Sequence, residues 1–254
     1  MFFPAAHVER SVPVLRRFIR DNPLGVLTTA IPSDQHPLIL SSHIPWLLDV
    51  ADEASETDLG RLRGHMARQN PQSRAMMAAA AAHANANTLE QEVLVLFTAA
   101  PHHYVTPNFY VKTKPTTAKA VPTWNYAAVQ AYGKATVYFG SPSEETARFL
   151  DGQMRDLSRH AETSIMEYTG QRGRPGPWDV SDAPERYIEL LTKNIIGIEI
   201  VVDRLEGKFK MSQEMRQGDR KGVVEGFEKL DSDLGRDMAR LVRERGDLEG
   251  AAKS

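Results

Sequence analysis

Residues 121–139, VPTWNYAAVQAYGKATVYF, limit the fold more than any other stretch of this chain. Ala, Val, Tyr, Thr and Phe fill the run, and Gly133 is its one breaker. A run of that kind is a long β-strand. Its alternation from Tyr126 onward is imperfect, so the strand is either buried on both faces or bent at Gly133. At its start Trp124 stands beside Asn125 and Tyr126. The residues just before, 112–119, are polar and basic. A basic loop leading into an aromatic and amide cluster suits the edge of a pocket. A core strand following a surface loop accounts for the same residues.

The chain leading to this strand alternates short helices and strands. Ser11 caps a first helix with Pro13 in its first turn. Val14, Leu15, Phe18 and Ile19 form its apolar face, Arg16, Arg17 and Arg20 the other, and Asn22 with Pro23 ends it. Residues 24–30 and 38–48 read as an antiparallel strand pair, the second broken or bulged at Pro45. Residues 49–59 are an acidic exposed loop, and 61–66 a short strand. Asn70 and Pro71 start a helix through an alanine-rich run. Its composition predicts a poorly constrained surface helix that frays by residues 85–87. Residues 93–98 are the clearest strand, and 101–110 an irregular aromatic segment.

Beyond the long strand, Ser141 and Pro142, followed by Glu144 and Glu145, start a helix that turns Phe149, Leu150, Met154 and Leu157 inward. Residues 171–177 are a loop, and Asp182 caps a helix containing Tyr187, Leu190 and Leu191. Residues 194–202 form a long apolar strand that continues in a polar register through 203–210. Residues 212–254 are helical and charged, divided at Gly222 and Gly235, with a narrow stripe of Leu234, Met238, Leu241 and Val242. Roughly six strands stand among helices without βαβ alternation, which predicts an α+β fold built on an antiparallel barrel with peripheral helices.

Several function classes fall away. The chain has no cysteine, which excludes disulfides, thiolate catalysis, iron–sulfur clusters and cysteine zinc sites. That fits a cytoplasmic protein, or a nuclear one in a eukaryote. A net charge of −2 gives no global attraction to nucleic acid or membrane, so contact with DNA requires a local basic patch or a basic groove formed by an oligomer. No apolar run approaches about 18 residues, so no membrane-spanning helix is expected. The opening MFFPAAHVERSV lacks the pattern of a secretory signal. The eight histidines form no metal-binding spacing, so no metal is expected. Ser42 and His43 are neighbours on one strand and face opposite ways, and no GxSxG, Walker A or GxGxxG motif is present.

An anion-and-ring pattern remains. Arg61, Arg63, His65 and Arg68 gather at a strand end before a capped helix, a setting suited to phosphate or to a solvated basic edge. Tyr104, Phe109, Tyr110, Trp124 and Tyr126 could line a pocket for a flat ring or simply fill a core.

Four blocks set these residues in one order: GHMARQNPQ (64–72), PHHYVTPNFY (101–110), VPTWNYAAVQAYGKA (121–135) and KFKMSQEMRQGDRKGVVEGF (208–227). Together with LGVLTT and HIPWLLD they resemble the PaiB-type negative transcriptional regulators, an FMN-binding branch of the flavin split-barrel proteins. The resemblance covers about residues 1–230. Departures are loop expansions at 49–59 and 78–87, Phe109 in place of an expected tryptophan, and Thr106 in place of serine.

The resemblance implies a six-stranded antiparallel split β-barrel over residues 1–211, with a charged helical segment over 212–254. It also implies a homodimer with two FMN sites at the interface. On it, His65 and Arg68 hold the flavin phosphate. Ser41, Ser42 and His43 offer backbone and hydroxyl groups to the ring. Trp124, Asn125 and Tyr126 meet the ring or ribityl chain, and Lys210, Ser212 and Gln213 close the site. No catalytic residue stands out. Three functions follow for testing: an FMN-binding repressor with DNA as its partner, a flavin-dependent oxidoreductase using a nicotinamide donor, and a cofactor-free dimerisation or ligand-sensing module. Within 212–254, Arg216, Arg220, Lys221, Arg236, Arg240, Arg243 and Arg245 are interleaved with acids, the pattern of a solvated helix more than of a DNA-reading one.

Overall fold

The computed structural model describes residues 1–82, 87–140 and 144–252. In chain order its elements are β1 (Val8–Glu9), α1 (Val12–Asp21), β2 (Leu24–Ala30), β3 (Ile39–Pro45), β4 (Leu47–Asp49), β5 (Arg61–Ala67), α2 (Pro71–Ala82), β6 (Thr88–Thr98), β7 (His103–Val105), α3 (Thr113–Thr117), β8 (Thr123–Tyr138), α4 (Glu144–His160), α5 (Glu185–Thr192), β9 (Ile195–Lys210), α6 (Gln217–Glu228) and α7 (Asp233–Ala252). The fold is α+β. Among the described residues there are nine strands, where the sequence pattern led to about six; β1, β4 and β7 have two or three residues each, too short for a period-2 signal.

The chain divides into two units. The first holds Met1–Phe18, Phe97–Gln130 and Glu206–Ser254, the second Ile19–Leu96 and Ala131–Leu205. In the second, the hydrogen-bonded strand order is β3-β2-β6-β8-β9-β5-β4, with β3 and β4 at its ends. The pairs β2–β3, β2–β6, β4–β5 and β5–β9 are antiparallel. Alternation puts Leu27, Ile44, Leu62, Val95, Ile196, Ile198 and Ile200 into its core beside the fully buried Trp46. Gly133 is required by packing: a Cβ there would run into the carbonyl oxygen of Val201 on β9.

Two side chains fasten helices to this sheet. Asn70 caps α2 by accepting from the Gln72 N–H at 2.8 Å. The buried Gln72 amide then donates to Leu27 O, Thr29 Oγ1 and Leu40 O at 3.0–3.1 Å, so α2 is anchored across β2 and β3. Ala75, Met76 and Ala80 are buried with it. The expectation of a poorly constrained surface helix is therefore corrected: alanines carry too little hydrophobic contrast to reveal which face they bury. On β5, Arg63 pairs with Asp49 of the neighbouring strand and, at 3.0 Å, with Asp156 of α4. The expected fraying toward residues 85–87 falls, Asn87 aside, outside the described residues. So does the expected start of α4 at Ser141 and Pro142.

Two further expectations change. Asp182 does not cap α5. It completes a capping box with Asp179 around the turn Val180–Asp182, and α5 starts after Pro184. Gly222 does not divide the C-terminal helices; it lies inside α6, where its missing side chain lets the helix pack on the Phe109 carbonyl.

The first unit is built around the ends of β8 and β9. β1 pairs with β9 and β7 with β8, both antiparallel. Leu15 and Phe18 of α1 are buried, Phe18 lying edge-on to Phe209 at 5.3 Å. α6 and α7 bury Val223, Phe227, Met238 and Val242, and Phe109 stands edge-on to Phe227 at 5.5 Å.

Candidate functional site

In the first unit six of the residues named from sequence come together. The β7–β8 register sets Tyr104 opposite Trp124 and His103 opposite Asn125. Trp124 is 49% exposed, tilts toward Tyr104 at 6.3 Å between ring centroids, and donates its indole N–H to His102 Nδ1 at 3.2 Å. The next side chain, Asn125, points the other way and is fully buried. Its amide donates to Ser212 Oγ at 3.0 Å, and the Ser212 hydroxyl lies 3.2 Å from its carbonyl oxygen. Ser212 holds a left-handed backbone, φ 59°, which a serine adopts only where neighbours fix it.

The turn after β9 is tied by Gln213, whose carbonyl oxygen accepts from the Met211 N–H at 2.6 Å and whose amide donates to the Phe209 carbonyl. Lys210 donates to the Trp124 carbonyl at 2.9 Å and to the Thr123 hydroxyl. Burial, with Lys208 nearby, lowers the Lys210 pKa against the opposing pull of Glu214. Tyr126 lies under the Lys208 ammonium, 5.5 Å from the ring centroid. The result is a half-exposed aromatic surface braced from behind by an amide–hydroxyl pair and a lysine.

The second unit holds the other five. Ser41 and His43 are exposed on one face of β3, and Ser41 Oγ lies 2.9 Å from Thr28 Oγ1. Ser42 faces the other way and accepts from Asn70 at 3.0 Å. The three therefore offer groups to two different faces. His65 pairs in register with Gly197, over which Phe149 packs. Its Nδ1 is buried without a hydrogen-bond partner, and burial lowers its pKa, so the ring is held neutral. Arg68 donates to the Lys193 carbonyl at 3.2 Å and lines a cleft of 590 Å³ between α4 and α5 that also receives Arg155 and Lys193.

The description "Putative FMN-binding domain" belongs to the family that matches residues 1–204. The chain belongs to this FMN-binding family. A protein of Aspergillus fumigatus, named as uncharacterized, is 60% identical over 98% of this chain and 99% of its own length. The Bacillus subtilis "Protease synthase and sporulation protein PAI 2" is 24% identical over 96% and 98%. Among solved structures, the FAD and heme binding protein of Mycobacterium smegmatis aligns over 80% of this chain and 73% of its own with 13% identity and a TM-score of 0.45. The resemblance to PaiB-type proteins thus holds, and FMN is the cofactor of the family.

Each unit by itself carries a feature suited to part of FMN. In the second, Arg68 and Lys193 bring cations suited to a phosphate to a cleft that Asp151, Glu185 and Glu189 also line, Arg155 there being paired with Asp151. In the first, Trp124 with Tyr104 offers an exposed aromatic surface. In the second unit the buried His65 Nδ1 is a polar atom without a hydrogen-bond partner. Sequence reasoning missed Gln72, Asn70 as a partner of Ser42, and the part of Asp219 described below. Their signal is an ordinary polar letter whose partner lies far along the chain. No helix among the described residues is long and apolar enough to cross a membrane.

Proposed function

We propose that this chain is a homodimeric FMN-binding negative transcriptional regulator with the six-stranded split barrel of its family over residues 1–211 and a helical extension over 212–254. The family match carries the flavin part of the reading. Regulation, the dimer and the split barrel are what the PaiB-type resemblance implies; the Bacillus relative is named a protease synthase and sporulation protein. In this reading Arg68 and His65 meet the phosphate and Ser41 and His43 the ring, with Ser42 holding the strand through Asn70; in the first unit Trp124 and Tyr126 meet a flavin, braced by Asn125, Lys210, Ser212 and Gln213. Bound FMN supplies redox chemistry, while the chain supplies orientation and electrostatics. The neutral His65 would contact the cofactor by hydrogen bonding and leave the charge to Arg68.

One observation weighs against direct DNA contact and so leaves room for a second reading, a flavin oxidoreductase using a nicotinamide donor. Arg236 pairs with Asp231 and Asp233, Arg240 with Asp237 and Glu244, Arg243 with Glu228, Arg245 with Glu9, and Lys221 with Glu225. These pairs spend on neighbours the cations that DNA phosphates would need. The purified protein should show flavin absorbance, and Arg68→Ala should weaken FMN binding about tenfold by removing a charge-assisted contact. Unchanged affinity would remove Arg68 from the site. Sequence-selective, salt-sensitive gel shifts by the holoprotein mark the regulator; bleaching by NAD(P)H at a catalytic rate without such shifts marks the enzyme.

A further inference from the structure

A cavity of 710 Å³ in the first unit is lined by the basic loop 112–119 and the start of the long strand, the stretch whose sequence suits a pocket edge. Its lining divides by chemistry. Lys112, Lys119 and Arg216 bring positive charge, Thr113, Thr116 and Thr117 bring hydroxyls, and Val121, Pro122 and Met215 form an apolar wall. Two carboxylates also reach it, and both are engaged. Asp219 accepts from the Lys112 N–H at 2.8 Å, from the Thr113 N–H at 3.1 Å and from the Thr113 hydroxyl. Glu214 lies 3.0 Å from His7 Nε2. Lys112 and Lys119 enter no ion pair among the described residues.

The decisive group is Tyr110. Its side chain lines the cavity and is 6% exposed, and its hydroxyl is buried with no hydrogen-bond partner. An unsatisfied buried hydroxyl is costly, and native structures retain few of them. Burial first, and then the negative charge of Glu214, raise the phenol's pKa, so it stands as a donor at neutral pH. A donor without an acceptor, in the lining of a cavity that also holds two lysines, an arginine and an apolar wall, suits an organic oxyanion. We propose that this cavity binds an organic oxyanion, a phosphate monoester or a carboxylate, whose oxygen accepts from Tyr110 while Lys112, Lys119 and Arg216 balance its charge and Val121, Pro122 and Met215 cover its carbon body. The proposal stands apart from the regulator and oxidoreductase readings and holds under either.

The source of the oxyanion is a second ligand where Arg68 holds the FMN phosphate, and FMN itself where it does not, and one experiment separates them. Phenyl phosphate and benzoate are titrated calorimetrically into the full-length protein, once as apoprotein and once saturated with FMN. Saturable binding in both forms supports the site and identifies a second ligand. Saturable binding to the apoprotein that FMN abolishes supports the site and identifies the FMN phosphate. Tyr110→Phe, which keeps the ring and its packing, should weaken binding about tenfold. Lys119→Ala, on the exposed rim, should weaken it and flatten its dependence on salt. Absence of saturable binding in both forms overturns the proposal, as does wild-type affinity in both variants.

Discussion

His65 carries a pH dependence that can be worked out from its surroundings. The ring lies on the same face of β5 as Arg63, which is itself paired with Asp49 and Asp156, and next to Gly197 under Phe149. Burial lowers its pKa from 6.5, while the unfolded chain keeps the ordinary value. As pH falls below about 6.5, the unfolded state takes up a proton that the folded state refuses, so stability falls until the folded pKa is reached. The contribution is fully present above the unfolded pKa. Urea midpoints should therefore drop between about pH 7.5 and 5.5, and His65→Gln should make that drop smaller. Equal drops in the two proteins would show that His65 is not the group responsible. At the same scale, Asn125 shows what sequence conveys and what it withholds. Its place in a Trp-Asn-Tyr cluster marked it as special, but its partner Ser212 lies 87 positions away, and nothing local reveals that both side chains are spent on each other.

Among the elements, β8 was the most legible. Its composition led to one long strand over 121–139, and it runs over Thr123–Tyr138. Both readings of its imperfect alternation contain part of the answer: residues 127–131 are buried without a break, and Gly133 follows at a close crossing with β9. β2 was placed at its observed bounds, Leu24–Ala30, whereas β6 was read only over 93–98 of Thr88–Thr98, because its polar first half lacks the apolar run that marks the rest. Hidden were features without periodicity: the three short strands, the buried face of the alanine-rich α2, and the position of Gly222 inside a helix. A glycine letter signals freedom or close approach alike, and only the neighbouring Phe109 carbonyl decides between them. Gly133→Ala tests the close approach. The added methyl has backbone in its way on β9 and no flexible side chain to displace, so the strands must separate. A loss of about 3 kcal/mol or more is expected in urea unfolding, above the usual range for one extra carbon. A loss under about 1 kcal/mol would mean that β9 shifts freely at Val201.

For the whole molecule, charge and cofactor have to be considered together. A net charge of −2, with Arg236, Arg240 and Arg243 already paired, provides little long-range attraction between this protein and a polyanion. Association with another copy is free of that handicap, and the proposed dimer with shared flavin sites makes a thermodynamic demand on it. If each FMN touches both copies, the cofactor binds the dimer more tightly than the monomer. By linkage, FMN must then strengthen dimerisation by the same factor by which dimerisation strengthens FMN binding. Sedimentation across a dilution series should show the monomer–dimer midpoint moving to lower protein concentration when FMN is added. Arg68→Ala should reduce the shift, because it weakens the ligand and leaves the contact between copies alone. The thermal midpoint should rise with FMN as well, by the equivalent of about 2.7 kcal/mol at a hundredfold excess over Kd. That rise alone would not distinguish a shared site from one built within a single copy. The two effects separate the possibilities: a thermal rise with a fixed dimer constant places FMN within one chain, and a rise in both requires residues from two.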